Sequence, residues 1–228
     1  MPPKELQRLI TPDLRKHVLD VSMRLAIDGG QPVSTELVRM EHDGVIGEEE
    51  IEAAVQVLRS RKLWLYNGNK TGEFENAMAQ YVGVKHGVAV FNATCAMEIA
   101  LEAAKVGRGD EVITTPFTFI ATQTAILRQH ATPTFADIDP RTFNLSAETI
   151  KAAISKRTRA ILPVSIFGHP LDMDPIMEIA DEHNLTVIED AAQSLGAEYK
   201  GRKVGSLAHM TCLSFTSPKA ITSAGEGG

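Results

Sequence analysis

The sequence predicts an α/β fold, a mostly parallel sheet flanked by helices, on three observations. From Val88 onward short β-rich runs alternate with helical stretches, the order that successive β-α-β units produce. The chain has 228 residues, 43% of them hydrophobic, enough for a sizeable core in one large domain or two small ones. Two apolar runs end in groups that carry chemistry, Val187-Ile188-Glu189-Asp190 and Leu213-Ser214-Phe215 leading to Lys219. In a parallel sheet, ligands bind at these carboxyl ends.

The elements follow in chain order. Apolar residues from Leu6 to about Leu25 recur at mixed helical spacing until Asp28-Gly29-Gly30-Gln31-Pro32 breaks the pattern, which predicts an N-terminal arm over 1–46 ahead of a domain over 47–228. Gly47 to Lys62 opens with Glu48, Glu49 and Glu50 at the positive end of a helix and sets Ile51, Val55 and Leu58 on one face. Phe74, Ala77, Met78 and Tyr81 repeat that spacing before a stop at Gly83. Strands are expected at Val88–Phe91, Glu111–Thr114, Thr134–Asp137, Ala160–Phe167, Leu185–Glu189 and Thr211–Phe215. Between them, helices are expected at Ala96–Lys105, Ile120–Gln129, Ala147–Ile154 under a Ser146 cap, and Asp174–His183 with Pro175 in first helical position.

Composition excludes several classes. A net charge of −6 with dispersed Lys and Arg argues against a nucleic-acid groove or an anionic membrane as partner. No apolar run approaches the length of a membrane span, and Met1-Pro2-Pro3-Lys4-Glu5 does not open a signal peptide, so a cytoplasmic location is expected. Cys95 and Cys212 stand far apart and read as free thiols. The seven histidines are scattered, with no His-x-x-x-His, so no metal is expected. Asp137, Asp139, Asp172 and Asp174 read as turn and cap residues rather than cation ligands. There is no G-x-G-x-x-G, and Gly68-Asn69-Lys70-Thr71 lacks the glycine that a P-loop places before its lysine. The final Ser223-Ala224-Gly225-Glu226-Gly227-Gly228 has no closing element behind it, and the chain reads as interrupted.

At the strand ends, Asn92-Ala93-Thr94-Cys95 precedes a helix, so Thr94 either caps that helix or, with backbone N–H groups, holds a phosphate. Phe119 is either a core ring or a ring lying flat on an aromatic cofactor. Asp190 is either a helix cap or a buried acid for a protonated ring nitrogen, with Gln193 placed for the ring's phenolic oxygen. Ser214 is a further phosphate ligand, and Lys219 is either a solvated loop lysine or an aldehyde-binding amine. Together these supply an anion cradle, a stacking ring, a pyridinium partner and an amine. That set suits pyridoxal 5'-phosphate.

The same residues resemble the DegT/DnrJ/EryC/StrS family of pyridoxal-phosphate-dependent sugar aminotransferases. The likeness rests on Ala26–Val33, Asn92-Ala93-Thr94, Pro116–Thr122, Phe143-Asn144-Leu145, Gly168–Asp174, Glu189–Gly196 and Ser214-Phe215…Lys219…Gly225-Glu226-Gly227-Gly228. It implies a type I aminotransferase-like large domain, here without the C-terminal small domain. It also implies that Lys219 carries the Schiff base, Asp190 meets the pyridine nitrogen, Gln193 sits beside the ring oxygen and Phe119 stacks on the ring. Thr94, the Cys95 backbone and Ser214 would hold the phosphate. Lysine rather than histidine at the Schiff-base position favours transamination over dehydration. The implied donor is glutamate or glutamine, the acceptor a nucleotide-linked keto-sugar or a keto-cyclitol, and the assembly a homodimer. The alternative is a truncated or non-catalytic regulator or scaffold that keeps the cofactor fold.

Overall fold

A computed structural model describes residues 46–223 and 225–228, so the N-terminal arm expected over 1–46, with its Ala26–Val33 motif, lies outside the described residues apart from Ile46. Helix α1 (Glu48–Ser60) forms as its acidic first turn predicts, with Glu50 accepting the Gly47 N–H at 2.7 Å. None of its residues is buried, so the apolar face of Ile51 and Leu58 is exposed. Helix α2 (Lys70–Val82) ends at Gly83 in the left-handed region, as glycine there permits, and buries Ala79 and Val82.

The remaining elements are α3 (Ala93–Ala103), β1 (Glu111–Thr114), α4 (Ala121–Arg128), β2 (Thr132–Phe135), α5 (Ala147–Ala153), β3 (Thr158–Ile161), α6 (Met173–His183), β4 (Thr186–Asp190), β5 (Glu198–Tyr199), β6 (Arg202–Lys203) and β7 (Met210–Cys212). The main sheet runs β2-β1-β3-β4-β7 with every neighbour pair parallel. Its faces follow the two-residue period of a strand. Val112, Ala160 and Ile188 pack with Met97, Leu101 and Ile126 of α3 and α4. Ile113, Ile161 and Val187 pack with Ile150, Ile176 and Ala180 of α5 and α6. Both faces are therefore covered, and strands of this kind read as continuous apolar runs.

Several boundaries differ from expectation. Val88–Phe91 is not a sheet strand: Val90 exchanges both backbone hydrogen bonds with Gly228, at 2.9 and 3.1 Å, and one such pair makes no ladder. The strand expected through Phe167 stops at Ile161, because Pro163 has no N–H to give. A single parallel bridge, Val164 to Asp190, replaces it. Helix α3 starts at Ala93 because Asn92 caps it, accepting the Cys95 N–H at 3.0 Å. Helix α6 starts at Met173, so Pro175 lies inside its first turn rather than at its first position, where a missing N–H still costs nothing. Ser146 caps α5 as expected. The hairpin β5–β6 was not expected. Its two-residue turn, Lys200-Gly201, has both φ angles positive, at 51° and 76°.

Candidate active site

Asp190 closes β4 at the carboxyl edge of the sheet and is buried. Its backbone is fixed by two bonds, its N–H to Pro163 O at 2.9 Å and its carbonyl accepting Ser165 N–H at 3.0 Å. The chain then turns instead of entering a helix, so Asp190 is not a helix cap: Oδ1 accepts the Ala192 N–H at 3.1 Å within the turn. Oδ2 accepts the Thr122 hydroxyl at 2.8 Å, and Thr122 lies within 3.1 Å of the Thr118 hydroxyl. Burial pushes the carboxyl up, while Thr122, the Ala192 amide and the positive charge of Lys219 oppose that rise. Lys219 thus lies within electrostatic reach of Asp190, although 29 positions apart is no guide to proximity in sequence. Its loop is pinned by Lys219 N–H to Thr216 O at 3.0 Å and by Thr216 Oγ1 to Glu226 at 2.8 Å.

The other expected residues gather around this pair to different degrees. Phe119 is 71% exposed, which settles against a core ring and leaves a face for stacking. Gln193 Oε1 accepts the Phe167 N–H at 3.0 Å, which leaves the amide NH₂ as the end able to donate to a phenolic oxygen. Thr94 does not cap α3, since Asn92 does, and its hydroxyl stands in the first turn of that helix. The Cys95 amide, expected on the anion, is engaged by the Asn92 side chain, so a phosphate there must share or displace that bond. Ser214 is buried and its Oγ accepts the Thr216 N–H only at 3.5 Å.

Four contributors carried no role in the sequence reading. Thr122 reaches Asp190 across two βα units, a contact no local spacing announces. Asn144 accepts the Ile166 N–H at 3.1 Å and donates to His169 O and Pro170 O at 3.0 and 3.3 Å, pinning the loop that carries Phe167. Ser165 donates its hydroxyl to Glu189 at 2.6 Å. Glu189 itself is fully buried on the face of β4 opposite Asp190, and burial raises its carboxyl above the usual range. The two-residue alternation of Val187-Ile188-Glu189-Asp190 is the signal that puts those two acids on opposite faces.

The aspartates set aside as cation ligands have other partners. Asp139 pairs with Arg141 at 2.7 Å, while Asp174 pairs with Lys200 at 2.8 Å and with Arg202. Among the described residues no cluster of His, Cys, Asp and Glu could hold a metal, and no helix is long and apolar enough to cross a membrane.

Residues 45–228 match the DegT/DnrJ/EryC1/StrS aminotransferase family. The chain belongs to that family. The family match leaves out the Ala26–Val33 stretch that entered the resemblance. GDP-perosamine synthase of Caulobacter vibrioides is 51% identical over 156 residues, covering 68% of this chain and 42% of that protein. A pleiotropic regulatory protein of Geobacillus stearothermophilus is 46% identical over 173 residues, covering 76% of this chain and 46% of that protein. The crystal structure of an aminotransferase from Psychrobacter cryohalolentis superposes with a TM-score of 0.79 at 43% identity, covering 80% of this chain and 46% of that one. The chain therefore spans about half the length of the relatives it matches.

Aminotransferases of the DegT/DnrJ/EryC1/StrS family depend on pyridoxal 5'-phosphate. The described residues fit that group. A buried acid has its two oxygens oriented by Thr122 and Ala192, a lysine charge stands near it, an aromatic face is exposed, and a hydroxyl sits in the first turn of a helix.

Proposed function

We propose that the protein to which this chain belongs is a pyridoxal-phosphate-dependent aminotransferase that moves an amino group from glutamate or glutamine to a keto-sugar, nucleotide-linked, or to a keto-cyclitol. The observation that carries the proposal is the buried Asp190 at the carboxyl end of β4, with its two oxygens held by Thr122 and Ala192. Bound pyridoxal phosphate would supply an aldehyde for an amine and a ring that accepts electrons from the substrate carbon. Lys219 would provide the amine for that aldehyde and, as a base, would carry the substrate's proton. Asp190 supplies the negative charge that holds a proton on the ring nitrogen. Phe119 offers its exposed face to the ring, and the Gln193 amide donates to the ring oxygen. Thr94 and Ser214 would hold the phosphate at the start of α3, where the helix dipole favours an anion. A nucleotide-linked sugar is supported by the name of the relative GDP-perosamine synthase. A homodimer in the cytoplasm is part of the same proposal.

The name of the Geobacillus relative favours a second reading, a regulator that keeps the cofactor fold. Borohydride reduction of the full-length protein loaded with cofactor, followed by peptide mass analysis, tests the first. The expected result is modification of Lys219, with neither modification nor turnover in Lys219→Ala. Attachment at another residue, or unchanged turnover in Lys219→Ala, rejects the assignment. Conversion of the bound cofactor by glutamate or glutamine supports the enzyme; a bound cofactor that no donor converts supports the regulator.

A further inference from the structure

We infer that Thr122 is a positioning residue for Asp190, donating, within a Thr118–Thr122–Asp190 hydroxyl chain, the hydrogen bond that holds the acid ionised and aimed at the cofactor ring. The inference rests on the cofactor reading given above.

Thr122 is fully buried in the first turn of α4 and has one hydroxyl proton to give. At 2.8 Å from Asp190 Oδ2 it donates that proton whenever the acid is ionised. Its oxygen is then open to accept from Thr118, at 3.1 Å. With the Ala192 N–H on Oδ1, each carboxylate oxygen has one donor from the protein, and the remaining lone pairs are available to a cationic ligand. If the carboxyl were protonated at Oδ2, it would have to donate to Thr122 and the order of donors would reverse. The chain thus favours one ionisation state, the one that can face a protonated ring nitrogen.

The same residue ties two parts of the site together. The Thr122 N–H donates to Phe119 O at 3.2 Å while its hydroxyl reaches Asp190. One turn of backbone therefore sets the spacing between the stacking ring and the acid. The titratable groups near Asp190 are Lys219, Cys212, its register partner on β7, and the adjacent Glu189, which points to the other face of β4. Of these only Lys219 favours the ionised acid; the Thr122 hydroxyl, and after it the Ala192 amide, act in the same direction more strongly.

The test uses the full-length protein as Thr122→Val, which keeps the shape and removes the hydroxyl, with Thr122→Ser and Thr118→Val beside it. Two quantities are followed against pH: the dissociation constant for pyridoxal phosphate, and the unfolding equilibrium of the cofactor-free protein. A charge-assisted hydrogen bond of this kind corresponds to a shift of about one to two pH units. Thr122→Val is expected to bind cofactor about tenfold more weakly where its own Asp190 is still protonated and that of wild type is ionised, converging on wild type at higher pH as the variant's acid ionises. In the cofactor-free protein the sign is also fixed. Both proteins lose stability as pH climbs above the ordinary carboxyl range, and the deficit of Thr122→Val opens only once wild-type Asp190, itself raised, begins to ionise. Thr122→Ser should follow wild type in both, and Thr118→Val should shift in the same direction by less.

A Thr122→Val binding profile parallel to wild type, a deficit equal at every pH, or a serine variant that behaves as the valine one overturns the inference. If Thr122→Val does not fold, the serine and Thr118→Val profiles decide. A wild-type protein that takes up no cofactor sinks the functional proposal instead, and the unfolding profiles still judge Thr122.

Discussion

Replacing Asn144 with leucine removes three hydrogen bonds from one buried side chain, and their surroundings set the cost. The Ile166 N–H, now held at 3.1 Å, is buried and finds no other acceptor, a loss of about 1–3 kcal/mol for an unsatisfied donor. The carbonyls of His169 and Pro170 lie nearer the surface and can recover water, so their bonds forfeit only about 0.5–1 kcal/mol each. The sum, about 2–5 kcal/mol, is a large part of the roughly 5–15 kcal/mol that domains possess. Urea unfolding followed by far-ultraviolet circular dichroism measures it, with an unchanged denaturant slope as the check that the unfolded state is the same. Cofactor affinity should fall with it, because the same loop presents the Phe167 amide to Gln193. A stability loss under about 1 kcal/mol would refute the reasoning, since it would mean that the Ile166 amide is satisfied without Asn144.

Two further outcomes concern the acid and the ring beside the site. Glu189→Gln removes an acid that burial holds above its ordinary range, so wild-type stability should decline more steeply than the variant's as pH rises from about 4.5 through the folded ionisation. Unfolding measured at several pH values checks this, and cofactor uptake should be unchanged because Glu189 faces away from Asp190. Phe119→Leu should leave the unfolding free energy within about 0.5 kcal/mol, since the ring is exposed, but weaken cofactor binding several-fold in a fluorescence titration.

The alternating apolar runs determined the parallel sheet without tertiary knowledge, because a strand covered on both faces has no polar side to show. The same simplicity placed Asp190 at a strand end, where ligands gather, and Lys219 in the loop beyond another strand. Capping was less legible. Thr94 and Asn92 are both competent caps, and only the backbone path into α3 decides that Asn92 accepts the Cys95 amide. The Val88–Phe91 run has the composition of a strand, but a strand is defined by its neighbours, and Val90 is paired with Gly228 alone among the described residues. Local chemistry could therefore name the amine, the acid and the ring. The donors that orient the acid come from α4 and the turn after β4, brought together by sheet packing, and hydrogen bonds across such separations leave no period in the sequence for a reader to find.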